Sequence, residues 1–195
     1  MIVVKLGGSL LGSEQLTLWL NAIAQSSDGR IVIVPGGGVF ADAVREAQQI
    51  AGFDDATAHQ LAVLAMDQYA RVLLALNPAL VAASTELEIA ERSWQHRAIV
   101  WLPSVMVLAD ENIARNWEVT SDSLAAWLAK RIKAMHLVLV KAAEHGLPQD
   151  ELPGGLVDPA FGDFTAALPC PVTVLGKNEI ERFSAILKPD MERVE

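Results

Sequence analysis

Cysteine is nearly missing from this chain: of 195 residues only Cys170 carries a thiol. No internal disulfide can form, which excludes a disulfide-stapled scaffold and suits a reducing compartment. Cations are short as well. With 15 Lys and Arg against 24 Asp and Glu the net charge is −9, too few cations to neutralise a nucleic-acid backbone, so no nucleic-acid partner is expected. Long apolar runs are lacking too. The longest, Val72 to Ala83, is interrupted by Asn77-Pro78 and falls well short of the roughly 20 residues of a membrane span. The first residues, Met-Ile-Val-Val-Lys-Leu, lack a signal peptide's layout, so a cytoplasmic protein with no membrane partner is expected.

Several catalytic signatures are missing. There is no G-x-x-x-x-G-K, no G-x-S-x-G, no H-E-x-x-H and no Cys-rich metal spacing. P-loop, serine-hydrolase and zincin chemistry are thereby set aside, and no protein-held metal is expected.

What is present is a well-buried chain, 52% apolar and 20% charged, read as one domain over residues 1–195. Short β-branched runs alternate with helical periodicities. Ile2 to Leu6, Ile31 to Val34, Leu80 to Ala83, Ile99 to Leu102, His136 to Val140 and Val172 to Leu175 read as strands. Helical spacing follows Ser13, Gly38 and Ala56, recurs over Glu86 to Trp94 and Ser104 to Leu108, and continues over Ser121 to Ala134 and Glu179 to Leu187; Ala142 to Gly162 reads as an irregular excursion. The pattern predicts an α/β fold, a three-layer sandwich with a mostly parallel central sheet, and ligands beyond the strand carboxyl ends.

Two such strand ends carry glycine loops. Lys5-Leu6-Gly7-Gly8-Ser9 places an ammonium beside residues whose backbone can approach a phosphate closely. Pro35-Gly36-Gly37-Gly38 repeats the arrangement ahead of a helix, whose first N–H groups face the loop. Together they suggest a donor and an acceptor phosphate. Gly36 to Ala41 also satisfies the dinucleotide pattern G-x-G-x-x-A, but the acidic residues Asp54 and Asp55 sit between helices and not at a strand end, which makes a nicotinamide oxidoreductase the second reading. Thr120-Ser121-Asp122-Ser123 opens a helix, where Asp122 can cap free N–H groups or hold a lysine in place. His136 reads as structural and His59 as a solvated helix position.

The segments V-V-K-L-G-G-S-L-L, I-V-I-V-P-G-G-G-V-F-A-D-A-V-R and W-E-V-T-S-D-S-L-A-A-W-L-A together resemble the amino acid kinase family. Within it, the chain is most similar to the branch that phosphorylates (5-(aminomethyl)furan-3-yl)methyl phosphate in methanofuran biosynthesis. The resemblance implies an ATP- and Mg²⁺-dependent kinase with a small phosphorylated or carboxylated acceptor, working as a homo-oligomer. It implies that Lys5, Gly7, Gly8 and Ser9 meet the ATP phosphates and the transferring group. Gly36, Gly37 and Gly38 would receive the acceptor, Asp122 would orient Lys5, and Asp42, Arg45 and His59 would recognise the acceptor. The family's T-D-V-D-G is replaced here by Lys141-Ala142-Ala143-Glu144-His145-Gly146, so Lys141 and Gly146 occupy the stretch expected to meet the nucleotide. A second lysine would come from Lys141 or Lys177. A nucleotide sensor of the same fold without catalysis is the remaining alternative.

Overall fold

The computed structural model describes residues 1–146 and 155–187. Strands β1 (Ile2–Leu6), β2 (Ile31–Pro35), β3 (Val81–Ala83), β4 (Ile99–Trp101), β5 (His136–Lys141) and β6 (Val172–Gly176) form one sheet in the order β3-β4-β2-β1-β5-β6. Every neighbouring pair is parallel. All six strand ends therefore open on the same side, where ligands of such sheets bind.

Both faces are covered, as expected of near-continuous apolar strands. On one face Val3, Val32, Val34, Leu137 and Leu139 pack against Leu124, Ala125 and Leu128 of α6 (Ser121–Arg131). On the other, Val4, Leu6, Ile33 and Val138 pack against Leu16, Trp19, Leu20 and Ile23 of α1 (Glu14–Ser26) and Phe183 of α8 (Ile180–Leu187). Each such Val, Leu, Ile or Phe side chain, fully buried, contributes about 1.5–3 kcal/mol. The strand period of two then fixes a point of function: Lys5 follows Val3, and Lys141 follows Leu139, onto the α6 face.

Helix starts follow local chemistry. Ser13 caps α1 through Leu16 N at 3.3 Å, and Asp54 caps α3 (Asp55–Leu76) through Thr57 N at 2.8 Å. Between them, α2 runs Gly38–Ala51 and ends at Gly52, whose φ of 72° suits a left-handed cap. Helix α4 (Glu86–Ser93) and the short α5 (Ser104–Val107) complete the region before α6.

Two sequence expectations change. The α6 helix stops at Arg131, short of Ala134, where Ile132 caps it and Lys133 turns to φ 51°. Within the excursion expected over Ala142 to Gly162, residues 147–154 lie outside the described ones, and a short helix α7 (Phe161–Thr165) begins at its end. Phe161 anchors α7 by burying against the α6 face. Among the described residues no helix is long and apolar enough to cross a membrane.

Candidate active site

The sheet register brings the glycine loops together. Leu6 pairs with Pro35, so β1 and β2 release their loops side by side, and Gly36 N donates to Leu6 O at 2.9 Å. The loops interlock without room for side chains. A Cβ on Gly8 would lie 2.2 Å from Gly38 N, and one on Gly36 would lie 2.4 Å from Gly8 N. Gly38 adopts φ 54° as α2 begins, and no side chain caps that helix. Its first-turn amides therefore point toward the loop with the positive end of the helix dipole, an arrangement suited to an anion.

Beside the loops lies a buried triad of charges. Lys5 Nζ is 2.9 Å from Asp122 Oδ1 and Lys141 Nζ is 2.6 Å from Asp122 Oδ2. The three side chains are only 6%, 11% and 6% exposed for Lys5, Lys141 and Asp122. Burial pushes the Asp122 carboxyl up, but the charges of Lys5 and Lys141 outweigh it and hold the group below the usual carboxylate range. Lys141 is pushed down to about 8, by burial first and by the charge of Lys5 second, against the pull of Asp122.

Asp122 is free for this role because another carboxylate caps its helix. Asp158 Oδ2 accepts from Thr120 N and Thr120 Oγ1, both at 2.8 Å, and from Ser123 N at 3.0 Å, while Ser123 Oγ donates to Asp158 Oδ1. The expected capping by Asp122 itself is thus corrected: α6 is capped from across the fold.

A cavity of about 370 Å³ opens between the glycine loops, α2, α3 and the start of α6. Gly8, Ser9, Gly37 and Gly38 line its loop side, and Ala62, Val63, Met66 and Leu124 give it apolar walls. His59 also lines it. Its imidazole is 3% exposed, and neither ring nitrogen has a partner among the described residues. Burial first, and the charge of Arg115 second, lower its pKa, so it is neutral near pH 7. At the rim Arg45 bonds Asp42 at 2.9 Å and lies 4.4 Å over the Trp117 ring. Trp117 Nε1 donates to Gln48 Oε1 at 2.8 Å, which ties the loop before α6 to α2.

Comparison with known proteins identifies the family. The family model described as the amino acid kinase family matches residues 1–145. This chain belongs to the amino acid kinase family. It is 29% identical over 156 residues, 80% of the chain and 71% of the relative, to the [5-(aminomethyl)furan-3-yl]methyl phosphate kinase of Methanocaldococcus jannaschii. Uridylate kinase from Archaeoglobus fulgidus has the same fold, with TM-score 0.70 at 16% identity over 95% of this chain and 94% of that one. Aspartate kinase from Synechocystis matches with TM-score 0.66 at 16% identity, over 91% of this chain and 38% of that chain.

The enzyme is therefore a phosphotransferase, and the nicotinamide reading falls: the acidic residue it needs at a strand end is spent, as Asp54, on capping α3. In this kinase the structure gathers Lys5, Gly7, Gly8, Ser9, Gly36, Gly37, Gly38, Asp122 and Lys141 at the ends of β1, β2 and β5 and the start of α6. Asp42 and Arg45 stand at the rim. His59, expected from its helix face to be solvated, is instead buried in the cavity wall, on α3 where it packs against α2. Lys177 is engaged elsewhere, 2.5 Å from Glu144. Gly146 seats its loop against β6, its N–H donating to Glu179 Oε2 at 2.5 Å. Sequence reasoning missed Trp117 and Asp158. Trp117 stood inside the quoted W-E-V-T-S-D-S segment, whereas Asp158 carries no local signal at all.

Proposed function

We propose that this kinase transfers the γ-phosphoryl group of ATP to the phosphate of a small phosphate monoester, with [5-(aminomethyl)furan-3-yl]methyl phosphate as the acceptor. The observation that carries the reading is Asp122 bridging Lys5 and Lys141 beside two interlocked glycine loops. One loop and the start of α2 suit the acceptor phosphate; the other loop and the two ammonium groups suit the triphosphate.

The step is an in-line displacement. An oxygen of the acceptor phosphate bonds to the γ-phosphorus as the bond to the β,γ-bridging oxygen breaks, and ADP leaves with that electron pair. The nucleophile is already ionised at neutral pH, so no general base is required. Lys5 and Lys141 neutralise charge spread over the transferring group and the leaving oxygen, and Asp122 keeps both cations in place without the cost of reorganisation. Among the described residues no three His, Cys, Asp or Glu side chains converge as a metal cage, and both oxygens of Asp122 face ammonium groups. Mg²⁺ is read as entering with ATP, held largely by its phosphate oxygens and water.

The M. jannaschii relative supports the choice of acceptor through its name, and the cavity of about 370 Å³ has room for a substituted five-membered ring. ADP release with the aminomethylfuran phosphate, UMP, N-acetylglutamate and aspartate tests the reading. Turnover of the furan phosphate, lost in Lys5→Ala, supports it; ATP binding with no turnover of any acceptor favours the nucleotide sensor.

A further inference from the structure

Resting on the reading of a phosphate-monoester acceptor, we infer that His59 determines specificity for the acceptor's organic head group, recognising it through a hydrogen bond to a heteroatom on a small flat ring or its substituent. The imidazole lines the cavity with both nitrogens unpartnered among the described residues and is 3% exposed. A buried polar group without a partner destabilises the free protein, so such a group at a cavity wall points to a partner that arrives with the ligand.

The surroundings narrow that partner. Ala62, Val63, Met66 and Leu124 supply apolar walls, which suit the faces of a ring. The glycine loops and α2 amides take the anionic end. His59, held neutral, offers one N–H and one lone pair, and so pairs with an ether oxygen, hydroxyl or amine. A hydrocarbon ring of the same size leaves both nitrogens unpaired. Sites built around a buried polar group reject ligands that cannot pair with it far more strongly than apolar pockets reject a change of size.

The test compares wild type with His59→Leu on three phosphates: [5-(aminomethyl)furan-3-yl]methyl phosphate, 3-(aminomethyl)benzyl phosphate, which lacks the ring oxygen, and (5-methylfuran-3-yl)methyl phosphate, which lacks the amine. Wild type is expected to disfavour at least one analogue by 10-fold or more in kcat/KM. His59→Leu is expected to raise the furan phosphate KM at least 10-fold, to leave the ATP KM unchanged and to erase that discrimination. It should also raise the Tm of the free protein by about 2–4 °C, since removing an unpaired buried polar group gives about 1 kcal/mol or more. An unchanged acceptor KM, retained discrimination or a lowered Tm overturns the inference. Failure of wild type to turn over any phosphate monoester falls on the function reading instead. The ¹⁵N signal of the His59 imidazole, recorded as the same phosphates are added without ATP, then decides the inference: a shift supports it and a static signal overturns it.

Discussion

Lys141 Nζ lies 2.6 Å from Asp122 Oδ2, on the side of the carboxylate opposite Lys5. The pairing crosses from the end of β5 to the first turn of α6 and puts a second cation where the sequence left a choice between Lys141 and Lys177. One carboxylate then balances two buried ammonium groups, which leaves the cluster net positive.

Asp122→Asn should therefore harm both fold and chemistry. The amide keeps the shape but leaves two buried cations facing each other, and breaking a buried pair by removing one partner typically costs about 3–5 kcal/mol. Urea unfolding should show that loss, and it should shrink when ATP is present, because bound phosphate replaces the missing negative charge. Turnover should fall about 10²-fold or more, the usual cost of losing a placed electrostatic group. Equal stability of Asn and Asp enzymes would disprove the bridging role.

Lys141 should set an alkaline limit on catalysis. With its pKa pushed down to about 8 from 10.5, the free enzyme loses this cation as pH rises through about 8, and kcat/KM should fall with the loss of one proton. Lys141→Arg keeps a permanent charge, so its profile should lack that limb. The effect on stability has the opposite sign. Between about pH 8 and 10.5 the unfolded chain binds this proton while the folded one does not, so the contribution of Lys141 rises with pH across the window. Comparing urea midpoints of wild type and Lys141→Met at pH 7 and 10 measures it.

The sheet, its parallel strands and both glycine loops were legible because each rests on local pattern: β-branched runs, a period of two and glycines at strand ends. That Lys5 and Lys141 share a face emerged only with the structure, where β5 runs through Lys141. The burial of His59 was not legible because helix periodicity reports a helix's face relative to its own apolar stripe, and α3 packs on a second neighbour, α2. Asp158 was invisible for a different reason. Its four contacts join it to Thr120 and Ser123, far away in sequence, and a cap supplied from elsewhere leaves no spacing to recognise.

Asp158→Ala tests whether that cap positions the site. Losing an N-cap carboxylate typically costs about 1–2 kcal/mol, to be read from urea unfolding. Thr120 and Ser121 line the cavity, and Asp122 follows them. Loosening this turn should raise the acceptor KM and lower kcat together. Asp158→Asn, which retains acceptor oxygen, should recover most of the stability and much of the activity. A variant that loses stability but keeps both kinetic constants would leave Asp158 a purely structural cap.

The contact between the glycine loops predicts a sharp contrast between two Gly→Ala changes. In Gly8→Ala the new methyl would sit 2.2 Å from Gly38 N and 2.5 Å from Gly38 Cα, both backbone atoms that cannot rotate away. The loops must part, at a cost of about 1–3 kcal/mol or more, and the anion-facing amides of α2 move with them. Both ATP and acceptor binding should weaken. Gly162 lies in α7 with nothing among the described residues within 4 Å of the added methyl, so Gly162→Ala should leave activity unchanged and stabilise by up to about 1 kcal/mol through helix propensity. Thermal unfolding and ADP-release kinetics on the pair separate the two effects. Gly8→Ala behaving like Gly162→Ala would mean that the loops do not touch in solution, and the close-packed phosphate cradle would have to be abandoned.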